Sequence, residues 1–146
     1  MFNESLRFDA PLNLTSWVQF EQDVKCGWLN IKKGTQININ ISKLHFNPTQ
    51  WIRPDEYLPE RFDPRSPLYL TPTGEKRDAM SYVPFNGGKR VCFGKVYAEL
   101  INRALILNIF SNFDLEFVDA KWNERQQFYN MESQYMEPVI TRISAR

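Results

Sequence analysis

Between Thr35 and Ile41 the isoleucines at 37, 39 and 41 alternate with Gln36, Asn38 and Asn40. A period of two predicts a strand with one buried face. A different rhythm begins at Gly94. Tyr97, Ile101, Ala104 with Leu105, Asn108 and Ile109 recur at helical spacing as far as Phe113. That spacing predicts one long helix, apolar on most sides towards its end, as a buried helix is. Residues 2–8 read as the end of a helix, because Pro11 disfavours helix at Ala10. Residues 9–24 read as mixed and extended, with Val18 and Phe20 placed around Gln19. Cys26 to Gly34 reads as strand, turn and strand, punctuated by Gly27 and Gly34. A helical turn is expected around Pro48 to Ile52. Asp114 to Val118 alternates as a strand. Residues 125–144 read as a hairpin with Val139, Ile140 and Ile143 in its return. From Pro54 to Pro84 neither period is sustained, and Pro, Asp, Arg and Tyr dominate. A long irregular stretch inside a compact domain is unusual and often functional. The fold class expected is α+β and irregular, with no repeat and no low-complexity tract.

Composition narrows the classes. The 146 residues fit one ordinary domain. Eleven Phe and four Trp supply apolar surface for a core or for a cofactor pocket. A net charge of +1 gives no pointer to nucleic acid or to acidic partners. Cys26 and Cys92 are too few for a disulfide framework. With the single His45 they cannot make an ordinary four-ligand zinc site. Met1 to Arg7 holds no stretch apolar enough for a signal peptide or a membrane span. Ala104 to Phe110 is interrupted by Asn108 and is too short to span. On these grounds the chain is expected to be soluble.

Cys92 carries the chemistry. It sits in Phe85-Asn-Gly-Gly-Lys-Arg-Val-Cys-Phe-Gly94, a glycine-rich loop running into the long helix. A thiol there meets the positive end of a helix dipole and several unpaired N–H groups, which favour the thiolate. Arg90 adds a fixed cation, and Phe85 covers the loop on one side. The glycines let the backbone approach a flat partner closely. The pattern formed by Phe85, Gly88, Arg90, Cys92 and Gly94 resembles the haem-binding loop of the cytochrome P450 superfamily. Haem iron held by a Cys thiolate is a known property of that family and enters with the resemblance.

Three further segments resemble the same family in the same order. Glu4-Ser-Leu-Arg7 is similar to the Glu-x-x-Arg of its K helix; alone it reads as an i,i+3 ion pair on a surface. His45-Phe-Asn-Pro48-Thr-Gln-Trp51, followed by Pro59-Glu60-Arg61-Phe62, is similar to the family's meander. Alone, His45 reads as structural and Phe85 as core. The helix after the cysteine loop places Ala98 at the family's small position, with Ile101 where an acidic residue is frequent. The resemblance covers essentially the whole chain. It implies the carboxy-terminal part of the cytochrome P450 fold, residues 1–146 forming a single partial domain. The oxygen-activating helix and everything ahead of it would then precede Met1, as in a fragment, a truncated product or a partial gene model.

The resemblance implies haem b (iron protoporphyrin IX) with Cys92 as the axial iron ligand and Phe85, Gly88, Arg90, Phe93, Gly94 and Ala98 around it. Backbone N–H groups near Phe93 and Gly94 would bond the sulfur, and Arg90 would pair with a propionate. No catalytic residue beyond the haem ligand is implied within the chain. Glu4, Arg7 and Arg61 would form one buried network pinning the meander under the loop, with carbonyls completing two cations and one anion. Substrate contacts would come from Leu12 to Ser16 and from the hairpin tip, Met131 to Tyr135. Thr15 and Ser16 stand where many members carry a second propionate ligand. The implied function is a haem-thiolate monooxygenase inserting one oxygen atom of O2 into a small organic substrate, with an electron-donor reductase as partner. Lys89, Lys95 and Arg103 read either as solvated charge or as a basic surface steering that donor. A microsomal type would place the full-length protein at the endoplasmic reticulum membrane. The alternatives are haem-based isomerase or peroxide chemistry, and a non-catalytic remnant. This chain alone is expected to be inactive.

Overall fold

A computed structural model describes residues 1–118, 127–129, 134–136 and 140–146. Helix α1 spans Phe2–Phe8 and ends at Asp9, just ahead of Ala10 and Pro11. It buries Glu4 and Arg7 instead of an apolar stripe. The chain then runs extended into β1 (Val18–Gln19), β2 (Val24–Cys26), β3 (Leu29–Ile31) and β4 (Gln36–Ile37). Strands β2 and β3 form an antiparallel hairpin, with Cys26 opposite Leu29. Gly27 opens its two-residue turn at φ +59, a left-handed conformation that suits the twist of a tight hairpin. Strands β1 and β4 pair antiparallel, with Val18 opposite Ile37.

The alternation from Thr35 to Ile41 yields less strand than expected. Only Gln36 and Ile37 pair as β4, and Asn40 makes a single bridge to Leu14. Ile39 remains 50% exposed. The competing signal is Asn40. Its side-chain oxygen accepts from the Lys43 N–H at 2.8 Å and caps helix α2, Ile41–His45. Ile41 and His45 are buried in that helix. The turn expected around Pro48 to Ile52 is a single turn in which the Asn47 carbonyl accepts from Gln50 and Trp51 at 3.0 Å.

Residues 54–84 contain three short 3₁₀ turns: Pro59–Phe62, Pro67–Tyr69 and Ala79–Ser81. Helix α3 follows at Lys95–Asn112. Contrary to the expectation of a buried helix, no residue of α3 is buried. Val96, Tyr97, Leu100 and Leu107 are each at least 66% exposed. Helical spacing sets which side chains share a face, but it cannot say what covers that face. Strand β5 (Phe113–Phe117) pairs antiparallel with β8 (Thr141–Ala145), Leu115 opposite Ile143. Strands β6 (Gln127–Tyr129) and β7 (Gln134–Met136) form a separate hairpin. The return expected to carry Ile140 and Ile143 therefore lies along β5, because the alternation at 113–117 supplies a matching partner. Val139 lies outside the described residues, as does the Met131–Ser133 part of the expected substrate tip.

The described interior is unusual in composition. Its buried apolar residues are Ala10, Ile41 and Trp51; its buried polar ones are Glu4, Arg7, His45, Arg61, Thr71 and Ser81. No helix among the described residues is long and apolar enough to cross a membrane.

Candidate functional site

The frame beneath the cysteine loop is a cluster of charges. Arg7 meets the Glu4 carboxylate twice, through Nε at 2.9 Å and Nη2 at 2.8 Å. That geometry follows from i,i+3 spacing on α1 and the flat guanidinium fork. Arg61 arrives from 57 positions away and donates Nε–H to the same carboxylate at 3.1 Å. The Leu58 N–H adds a further bond at 2.8 Å. All three side chains are fully buried. The spare guanidinium donors go to carbonyls. Arg7 bonds the oxygens of His45, Pro54 and Glu56. Arg61 bonds those of Ile52, Arg53 and Glu56. Burial, and after it the charge of Arg7, hold the Arg61 guanidinium below its ordinary value. The structure thus brings Glu4, Arg7 and Arg61 together, and irregular backbone supplies the acceptors that a regular element would keep for itself.

Arg77 belongs to this cluster although no motif singled it out. It donates to the carbonyls of Leu68 at 2.9 Å and Arg61 at 2.7 Å. Its guanidinium lies 4.3 Å from the centre of the Trp51 ring. Burial is the main cause pulling its pKa below the ordinary arginine value. An arginine in a loop gives no period, so only the three-dimensional stacking on Trp51 reveals it.

The cysteine loop rises from this base. Val83 donates its N–H to His45 Nε2 at 3.1 Å. The Phe85 carbonyl accepts the Cys92 N–H at 2.8 Å, closing the loop. Within it, Asn86 sits at φ +61 and Gly88 at φ +63. Asn tolerates the left-handed region better than most residues, and a Cβ on Gly88 would meet no heavy atom within 4 Å. A 3₁₀ turn, Gly88–Arg90, leads to Cys92. The Cys92 carbonyl accepts from Lys95 at 3.2 Å, so the thiol stands at the amino end of α3. A Cβ on Gly94 would lie 3.7 Å from the Cys92 sulfur; glycine leaves that side of the sulfur open.

Both cysteines are free and exposed, so there is no Cys26–Cys92 bridge. Phe93 is fully exposed, and Arg90 is exposed on the same loop. Phe85 and Ala98 are half-buried. No N–H among the described residues donates to the sulfur; the loop's bond to Phe85 is made by the Cys92 backbone. A cavity of about 80 Å³ beside the loop is lined by Tyr82, Val83, Pro84, Phe85, Asn86, Lys95 and Glu99. The sulfur itself lies on open surface outside that lining. Lys89, Lys95 and Arg103 are all exposed; Arg103 lies 5.6 Å from the centre of the Phe2 ring. Thr15 is tied into the extended chain, its hydroxyl accepting from the Ile39 N–H at 2.9 Å.

The fold is shared with solved structures. The cytochrome P450DA haem domain superposes with a TM-score of 0.78 at 25% identity, over 99% of this chain and 30% of that one. Retinoic acid-bound cyanobacterial CYP120A1 superposes with a TM-score of 0.79 at 22% identity, over 99% and 31%, a likeness of fold alone. Residues 1–137 match the family described as Cytochrome P450. Psoralen synthase from Pastinaca sativa is 34% identical over 123 residues, covering 83% of this chain and 24% of that protein. Steroid 17-alpha-hydroxylase/17,20 lyase from Pan troglodytes is 35% identical over 99 residues, 66% and 18% respectively. The chain belongs to the cytochrome P450 family. It spans about a quarter or less of the length of these two relatives.

Proposed function

We propose that this chain is the haem-ligating carboxy-terminal part of a monooxygenase, with Cys92 as the thiolate that holds the iron. The observation that carries this reading is the placing of a free, exposed thiol at the amino end of α3, inside a loop closed by the bond from Cys92 N–H to Phe85. The donor set fits haem. It offers one soft sulfur ligand, a cation for a carboxylate, and apolar surface from Val91 and Phe93. Haem bound through a thiolate supplies one-electron and O2 chemistry.

The chain's own residues bind and tune. Cys92 offers its sulfur from the amino end of α3. Arg90 would pair with a cofactor carboxylate. Gly88 and Gly94 would leave room for the porphyrin and the sulfur, and Ala98 keeps the next turn of α3 small. Phe85 limits water on its side of the loop. The Glu4, Arg7, Arg61 and Arg77 cluster holds the meander as a rigid base for the loop. Lys89, Lys95 and Arg103 offer an exposed basic surface to an acidic electron-donor protein. The substrate proposed is a small organic molecule, in keeping with the names of the relatives.

The test is the reduced, CO-difference absorption spectrum of the haem-loaded protein. Cys92→Ala should abolish the thiolate-type band, and Cys26→Ala should retain it. A thiolate-type band that survives Cys92→Ala would overturn the assignment.

A further inference from the structure

His45 is the buried titratable group that neither the charge cluster nor the loop chemistry accounts for. Its side chain is fully buried. Its backbone carbonyl accepts from Arg7 Nη1 at 3.0 Å. Its ring Nε2 accepts from the Val83 N–H at 3.1 Å. An Nε2 that accepts must be unprotonated, so the neutral ring carries its proton on Nδ1. Nδ1 has no hydrogen-bond partner. The ring lies 5.4 Å from that of Tyr82, centre to centre. Val83 is two residues before Phe85, whose carbonyl takes the Cys92 N–H. One residue therefore bonds the buried arginine with its backbone and the base of the cysteine loop with its ring. A purely space-filling side chain needs neither the acceptor nor an unmet donor.

We propose that His45 is a positioning residue for Cys92: its Nε2 acceptor fixes Val83 and, through the Phe85 carbonyl, sets where the thiolate stands. This rests on the reading of Cys92 as the haem ligand. An acceptor is needed at this place because residues 82–87 lie outside any regular element, and their N–H groups must find partners elsewhere. A loop anchored at this point keeps its sulfur in one place, whereas a loose one lets the sulfur drift from the position the ligand needs.

The test uses the haem-loaded full-length protein. His45→Phe keeps the ring's bulk and removes the acceptor. His45→Gln restores an acceptor at the position of Nε2. Two measurements are made on each: the ratio of thiolate-type to thiol-type bands in the reduced CO complex, and exchange of the Val83 and Cys92 amides. The expected result for His45→Phe is conversion of most of the thiolate band to the thiol band, with amide exchange faster by about tenfold. His45→Gln should restore both. A His45→Phe protein that keeps the wild-type band ratio overturns the proposal while leaving Cys92 as ligand. If His45→Phe does not fold, His45→Gln decides: a folded Gln variant lacking the thiolate band overturns it. Absence of the thiolate band from the wild type would instead remove the reading of Cys92, and the proposal with it.

Discussion

At the scale of single residues, charge does the work that a core usually does. Glu4 accepts four hydrogen bonds, two from Arg7 and one each from Leu58 and Arg61. Removing it would leave two buried guanidinium groups facing each other. Glu4→Gln should cost about 3–5 kcal/mol, because one partner of a buried charge cluster is lost. The midpoint of urea unfolding measures this; a shift within the range of surface substitutions would contradict the cluster's structural role. His45 gives a second prediction. Desolvation lowers its pKa to about 4 from 6.5. The folded state therefore resists protonation while the unfolded state accepts it. Stability linked to His45 is whole above about pH 6.5, falls as pH drops towards 4, and is then spent. The loss should be about 3 kcal/mol, read as the difference between wild-type and His45→Gln denaturation curves across that window. Parallel curves would show that the ring titrates freely in the fold.

At the scale of elements, the sequence was legible where one local signal stood alone. α1, α3 and β5 lie where periodicity and Pro11 put them. The expected strand at 35–41 shrank because Asn40 could cap a helix as well as continue a ladder, and the cap won. The cap has its own prediction: Asn40→Ala should cost about 1 kcal/mol and speed exchange of the Lys43 amide. An unchanged rate would mean that Ile41 and His45 hold α2 without the cap. The loop also has one. Gly88 sits at φ +63 with open space around its Cβ position. Gly88→Ala should cost about 1–2 kcal/mol through the backbone alone, with no clash, as thermal unfolding would show. The segment from Phe85 to Gly94 stood out through its resemblance to the family's haem-binding loop, and the roles of its residues remain part of the proposal. Arg77 and Val83 were not, since stacking on a distant Trp51 and bonding to a distant His45 leave no trace in local pattern.

At the scale of the molecule, the described chain is under-buried. It exposes 11212 Å², where a compact monomer of this mass exposes about 7,800 Å². Much of the difference is apolar: Leu100, Leu107, Phe110 and Phe117 are each at least 46% exposed. The long helix was correctly read as apolar and wrongly read as buried, because its cover is not among the described residues. Residues 1–146 expressed alone should self-associate or bind a hydrophobic dye strongly. A monodisperse, dye-silent monomer in analytical ultracentrifugation would contradict this.

The span between Glu4 and Arg61 also sets an order of events during synthesis. At cellular elongation rates, 57 residues take roughly 3–11 s to make. For that interval the segment carrying Glu4 lacks the partner that completes its charge cluster. Seven residues are too few to hold a helix in water unaided. The segment Phe2–Phe8 is thus made ahead of the partner its charges need and must wait for it. A nascent chain stalled before Arg61 should leave residues 2–8 unstructured and open to proteolysis, and one extended past Phe62 should protect them.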